Sequence, residues 1–164
     1  FAAIHASPPC QKYSVTKNLP NARNDHVDLV DPTRTLREAS ALPWIMENVP
    51  GAPLSSFSAM LCGLMFDLKV LRHRLFESSF LLMTPRHPSH RGIRIGEGGF
   101  CSVAGNGGGH SSGWGDNRRP VVQNAAMWRE AMGIDWMTRD ELAQAIPPAY
   151  TEYLGRQLLN VVQS

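Results

Sequence analysis

The 164-residue chain is poor in cysteine and in charge, and it has no long apolar run. Its three cysteines, Cys10, Cys62 and Cys101, are widely spaced and form no CxxC pair. That speaks against a disulfide framework or a zinc knuckle and fits a reducing, cytoplasmic compartment. Charged residues make up 18% of the chain, and the net charge is +2 with a pI near 8.6. So mild a basic balance is compatible with nucleic acid but does not argue for it alone. No apolar stretch approaches ~18 residues, so neither a helical membrane span nor a signal peptide is expected. The hydrophobic share, 43%, is enough for a core in a single domain-sized chain. The sequence opens on Phe1, already inside an apolar run, and an N-terminal portion is expected to precede it.

That run, Phe1-Ala2-Ala3-Ile4, reads as a buried strand and leads into Ser7-Pro8-Pro9-Cys10-Gln11. Two prolines stiffen the loop, and a thiol at the end of an apolar strand faces the crevice where open α/β sheets bind ligands. Residues 15–27 are polar and turn-rich, as a lid or a surface connection would be. Asp31-Pro32 predicts a helix start, with Asp31 as N-cap, running to about Ala41. Pro43-Trp44-Ile45-Met46 predicts a second buried strand tipped by Glu47-Asn48-Val49-Pro50-Gly51. Two strands joined by a helix suggest a βαβ crossover, which would bring Cys10 and Glu47 to one sheet edge.

Further on, a short helix is expected over Phe57 to Met65, and a strand over Val70 to Ser78, extended to Met83. On such a strand Arg72 and Arg74 share a face. Residues 84–120 change character: ten of the fourteen glycines lie between Gly92 and Gly115, interleaved with Arg86, Arg91, Arg94, Arg118, Arg119, His87, His90 and His110. Loops are expected there. The histidines have no accompanying cysteine pattern at ligand spacing, so no metal is expected. Cys62, in Leu-Cys-Gly-Leu-Met, reads as a packing residue and Cys101 as incidental. Helices are expected through Trp128 to Met132, ending at Gly133, from Thr138 until Pro147-Pro148 interrupts, and from Ala149 to Val161.

Taken together, a thiol nucleophile, a carboxyl at a neighbouring strand tip and two arginines suggest covalent catalysis on an electron-poor heterocycle. A carboxyl beside the thiol could donate a proton or orient a ring nitrogen. Arginine could hold a carbonyl oxygen or a phosphate. A thiol hydrolase would need a histidine base; His5 is the nearest in sequence, with no identifiable partner.

These residues resemble the later part of the cytosine carbon-5 DNA methyltransferase catalytic domain, in its phage and bacterial form. Pro9-Cys10-Gln11 with Ser14 is similar to the family's nucleophile loop, Glu47-Asn48-Val49 to its second signature, and Arg72-His73-Arg74 to its paired arginines. Ala131 to Trp136 resembles the segment after the target-recognition region, and Gln144-Ala145-Ile146-Pro147-Pro148 with the helix that follows resembles the closing motif. The resemblance implies an α/β fold: the later half of a Rossmann-like, S-adenosylmethionine-dependent methyltransferase sheet with a small irregular target-recognition insert. Its parts would be a catalytic core over 1–83, the insert over 84–120 and returning C-terminal helices over 121–164.

It further implies that Cys10 adds to carbon 6 of a flipped cytosine while Glu47 contacts N3 and the exocyclic amine, after which carbon 5 takes a methyl group. Arg72 and Arg74 would serve the base carbonyl, a phosphate or the cysteine loop. Pro9, Gln11, Ser14, Asn48, Val49, Arg91 and Arg94 would face DNA, and Pro8, Gln144, Ala145 and Ile146 the cofactor. The partner implied is double-stranded DNA, for a monomeric enzyme in the cytoplasm of a bacterial or phage-infected cell. A tRNA substrate, or a nucleic-acid-binding remnant without turnover, are the alternatives. The chain departs from the family pattern in three places. Val70 stands where the family has glutamine, Ala143-Gln144 stand for Gly-Asn, and no glycine-rich strand–loop–helix precedes Phe1. Weak binding of S-adenosylmethionine is therefore expected.

Overall fold

A computed structural model describes residues 1–14, 25–103 and 123–164 of the chain. The described residues form a mixed α/β protein with a four-stranded mixed sheet and four α-helices. They fall into two compact units. The first comprises Phe1–Leu61, His73–Thr84 and Tyr153–Ser164, and the second Cys62–Arg72 and Pro85–Glu152.

The first unit holds the sheet. Its strands are β1 (Ile4–Ala6), β2 (Trp44–Asn48), β3 (Ala59–Leu61) and β4 (Arg74–Ser78), in the order β1-β2-β4-β3. β1 and β2 are parallel, with Ile4 opposite Trp44 and Ala6 opposite Met46. β4 is antiparallel to both its neighbours, so β1, β2 and β3 share one direction. Every residue of β2 is buried, as a central strand covered on both faces requires, and its apolar start reads accordingly. Helix α1 (Val30–Glu38) connects β1 to β2 and contributes the fully buried Val30, which packs with Trp44, Met46, Ile4, Tyr13 and Leu54.

Helix α1 begins one residue before the expected cap Asp31. The Asp28 carboxylate accepts from the Val30 N–H at 3.0 Å, and Asp31 instead lies inside the first turn. Pro32 remains in that turn, where a missing N–H costs nothing. A bidentate ion pair fastens the helix near β4. Arg34 donates from Nε to Glu77 Oε1 at 2.7 Å and from Nη2 to Oε2 at 2.9 Å, and the Ser55 N–H donates to Oε2 at 2.8 Å. Arg37 is buried over the Trp44 ring, 4.8 Å from its centroid.

Three expectations for this part of the chain are corrected. The buried strand expected over Phe1-Ala2-Ala3-Ile4 forms only at Ile4–Ala6, none of whose residues is fully buried, and Phe1 is exposed. The helix expected over Phe57 to Met65 is instead strand β3 followed by a 3₁₀ turn, Gly63–Phe66. Ala59 and Leu61 alternate with exposed Met60, a period-2 pattern too short to be distinguished from a helical one by spacing. The strand expected from Val70 to Met83 forms only over Arg74–Ser78. At its far end Ser78 Oγ turns back to donate to the Phe80 carbonyl.

The second unit has its own core: Val70, Cys101, Val103, Trp128, Ala131, Met132, Ile134 and Leu142. Val70 pairs with Cys101 in an isolated parallel bridge, and the Cys101 N–H donates to the Lys69 carbonyl at 2.9 Å. Cys101 is thus a fully buried core residue, not the incidental one its glycine-rich context suggests. Gly63 is required by close approach, because a Cβ there would lie 2.1 Å from the Val70 carbonyl oxygen.

Helix α2 (Ala125–Met132) is capped by Asn124, whose side chain accepts from Met127 N, and it ends at Gly133 with φ +67°. Helix α3 (Arg139–Gln144) opens on a Thr138/Glu141 capping box. Helix α4 (Pro148–Gln163) begins in the second unit, where Tyr150 is fully buried, and its later part belongs to the first. These three helices follow the sequence reading closely. No helix among the described residues is long and apolar enough to cross a membrane. Residues 15–24, most of the stretch 15–27 expected as a lid or a surface connection, and residues 104–122, with His110, Arg118 and Arg119, lie outside the described residues.

Candidate active site

The C-terminal ends of β1 and β2 and the start of antiparallel β4 fall at one edge of the first unit's sheet. β1 delivers Cys10 four residues beyond its last residue, Ala6. The loop between them is pinned from two sides. The buried Asn48 side chain donates from Nδ2 to the Pro8 carbonyl at 3.1 Å. Beyond the cysteine, the N–H groups of Tyr13 and Ser14 both donate to the Cys10 carbonyl at 2.9 Å, closing a turn. Lys12 pairs with Asp28 at 3.3 Å. Cys10 is a free, half-buried thiol on this turn, accessible without being fully solvated.

Glu47 lies one residue before the end of β2 and is 7% exposed. Its partner across the ladder is Phe76, two residues into β4 from Arg74. Arg74 Nε donates to Glu47 Oε1 at 2.9 Å, a largely buried ion pair that fixes where the carboxyl points. Arg74 also donates from Nη1 to the His73 carbonyl at 2.8 Å, holding its guanidinium along the edge. Asn48 spans the remaining gap: Nδ2 goes to the cysteine loop and Oδ1 accepts the Val49 N–H at 2.9 Å. Gly51, with φ +102°, turns the chain away. Cys10, Glu47, Asn48 and Arg74 therefore lie along one edge of this sheet, Asn48 tied to the Cys10 loop and Arg74 to Glu47.

Arg72 does not share a strand face with Arg74, because the strand starts only at Arg74. Arg72 belongs to the second unit and is 5% exposed. It donates from Nη1 to the Val103 carbonyl at 2.7 Å and from Nη2 to the Ala143 carbonyl at 2.8 Å. Its own carbonyl accepts from the Tyr150 hydroxyl at 2.6 Å. Here Arg72 ties the 101–103 segment, the end of α3 and the start of α4 together. The paired-arginine spacing could not reveal this, since it carries no information about which carbonyls a guanidinium meets.

The remaining candidates are divided between the units. Pro9 and Gln11 are exposed around the cysteine, and Ser14 and Val49 are half-buried. Arg91 and Arg94 are exposed in the second unit, Arg94 lying 3.6 Å from Glu97. Of the cofactor candidates, Pro8 is buried with its carbonyl engaged by Asn48. Gln144 is exposed at the end of α3, and Ala145 and Ile146 are half-buried beyond it. Pro8, Ala145 and Ile146 have no polar side-chain atom and Gln144 is exposed, so these four supply no buried side-chain partner for S-adenosylmethionine. The sequence reading missed one grouping, Cys62 with His87 and His90, because its members come from separate stretches of chain. A scan against models of protein families finds no match for this chain, and a search of curated proteins likewise finds none.

Proposed function

We propose that this chain carries the base-activating edge of a DNA cytosine carbon-5 methyltransferase, an enzyme class whose methyl donor is S-adenosylmethionine. The observation that carries the reading is the Arg74–Glu47 ion pair at the tip of β2, beside a cysteine loop that Asn48 holds from the same strand. In this reading a cytosine turned out of its helix presents its ring edge to Glu47. The Cys10 thiol gives up its proton to solvent, and its sulfur forms a bond to carbon 6. The electron pair of the 5,6 double bond moves toward carbon 5, while Glu47 hydrogen-bonds the N3 and amine edge of the ring and stabilises the adduct. Reversal expels the thiolate and restores the ring. Arg74 is a positioning residue that aims Glu47. Arg91 and Arg94 supply phosphate or guanine contacts.

The test is covalent trapping on duplex DNA with 2-pyrimidinone in place of the target cytosine. This ring accepts a thiol without needing a methyl donor. A denaturation-resistant complex is expected with the chain and none with Cys10→Ser. No complex with the unmodified chain, or one that persists in Cys10→Ser, overturns the reading. The poor fit of the cofactor candidates favours a second reading, a nucleic-acid-binding domain without turnover. Retained DNA binding with no trapped complex is its signature. Competition between duplex DNA and tRNA for the trap distinguishes the two substrate classes.

A further inference from the structure

Cys62 ends the run after β3 and caps the 3₁₀ turn Gly63–Phe66; its N–H donates to Met65 Sδ at 3.3 Å. Its thiol is fully buried. From the loop that opens the long irregular stretch, His90 Nε2 comes to 3.4 Å from Cys62 Sγ. The His87 and His90 rings lie 4.8 Å apart, centroid to centroid. Cys62, His87 and His90 each offer one ligand atom, all within 4.8 Å of one another.

A tetrahedral zinc ion with bonds of about 2.3 Å to sulfur and about 2.0 Å to nitrogen sets those two atoms roughly 3.5 Å apart. The observed separation matches. The His-Pro-Ser-His spacing places two imidazoles three residues apart, and Pro85 and Pro88 restrict the loop that carries them. A turn in which the Ile93 N–H donates to the His90 carbonyl at 3.1 Å closes this loop behind them. A divalent cation held by Cys62 would take it as the thiolate, because a coordinating thiol is deprotonated outright.

We propose that Cys62, His87 and His90 form a zinc(II) site, with a fourth position left for a further donor, that fastens the 85–92 loop to the segment after β3. On binding, the Cys62 thiol releases its proton to solvent and both histidines ligate as neutral rings. The metal carries no step of the proposed chemistry at Cys10, and the two readings fail independently.

The test uses the full 164-residue chain. Zinc content is measured after loading and desalting, and cobalt(II) is then substituted to read the thiolate-to-cobalt charge-transfer band. One equivalent of zinc is expected, together with a charge-transfer band that survives in Cys10→Ser and Cys101→Ser. Cys62→Ser abolishes the band, and His90→Ala weakens zinc affinity by at least tenfold. Circular dichroism of each variant without metal verifies that its fold is retained. Zinc binding well below one equivalent in the unmodified chain overturns the site and leaves a thiol–imidazole hydrogen bond in its place. So does a charge-transfer band that persists in a folded Cys62→Ser chain.

Discussion

Glu47 and Glu77 are both buried carboxylates paired with arginine, yet they have different consequences. Glu77 accepts two bonds from Arg34 and one from the Ser55 N–H, and the hydrogen bond from Arg34 is the main reason its carboxyl lies below its ordinary value of 4.5. A carboxylate depressed in the folded state stabilises the protein fully above its unfolded value. That stability is lost as pH falls through the lower folded value. Glu77→Gln is therefore expected to cost about 2 kcal/mol at pH 7, since it removes the buried partner of Arg34 and leaves only the exposed Asp31 carboxylate to pair with it. The difference from the unmodified chain should shrink as urea denaturation is repeated below pH 4.5. A difference that does not vary with pH would mean that the pair contributes only packing.

Glu47 is paired instead at the sheet edge, next to the cysteine loop. Glu47→Gln is likewise expected to cost about 2 kcal/mol, since it leaves the largely buried Arg74 without its carboxylate partner, and to slow adduct formation by roughly 10²-fold, the scale of one lost hydrogen bond that stabilises the adduct. Equal trapping rates in the two chains would remove Glu47 from the chemistry. Tyr150 illustrates a purely structural polar group. Tyr150→Phe strands the buried Arg72 carbonyl and should cost about 1–3 kcal/mol in the same denaturation measurement.

Among the secondary-structure elements, those with chemical punctuation were legible and those without it were not. Asn124 and Gly133 bracket α2, Thr138 and Glu141 open α3, and Pro147-Pro148 separates it from α4, so each boundary has a local cause. The apolar run of β2 was equally plain. β3 was not, because three residues of alternation inside an apolar stretch satisfy a helical period as well, and only pairing with β4 selects the strand. The start of β4 was missed for a related reason: the stretch before Arg74 alternates like a strand, but Val70 pairs with Cys101 and Arg72 with the Val103 and Ala143 carbonyls. Gly63 marks this junction. Gly63→Ala would drive a methyl group into the Val70 carbonyl, and a loss of about 3 kcal/mol or more is expected on chemical denaturation. A loss under 0.5 kcal/mol, within the range of neutral surface changes, would mean the two segments do not approach so closely.

For the whole molecule, the net charge of +2 gives little general attraction to DNA, so local arginines must account for any salt-dependent affinity. Arg91→Ala and Arg94→Ala are each expected to lower the slope of log affinity against log salt by about 1, provided each meets a phosphate. An unchanged slope would remove them from the interface. The candidate site itself was legible where chain order and strand direction sufficed: Cys10, Glu47 and Arg74 reach one edge because β1, β2 and β4 place them there. It was illegible where side chains decide, as with Arg72 bound to two carbonyls and Cys62 beside His90.

The most direct measurement of the central claim is peptide mapping by mass spectrometry after incubation with 2-pyrimidinone DNA. The account predicts a single modified peptide, with the nucleotide joined to Cys10 and none at Cys62 or Cys101. A nucleotide joined to either of those two cysteines, or no modified peptide at all, would contradict it.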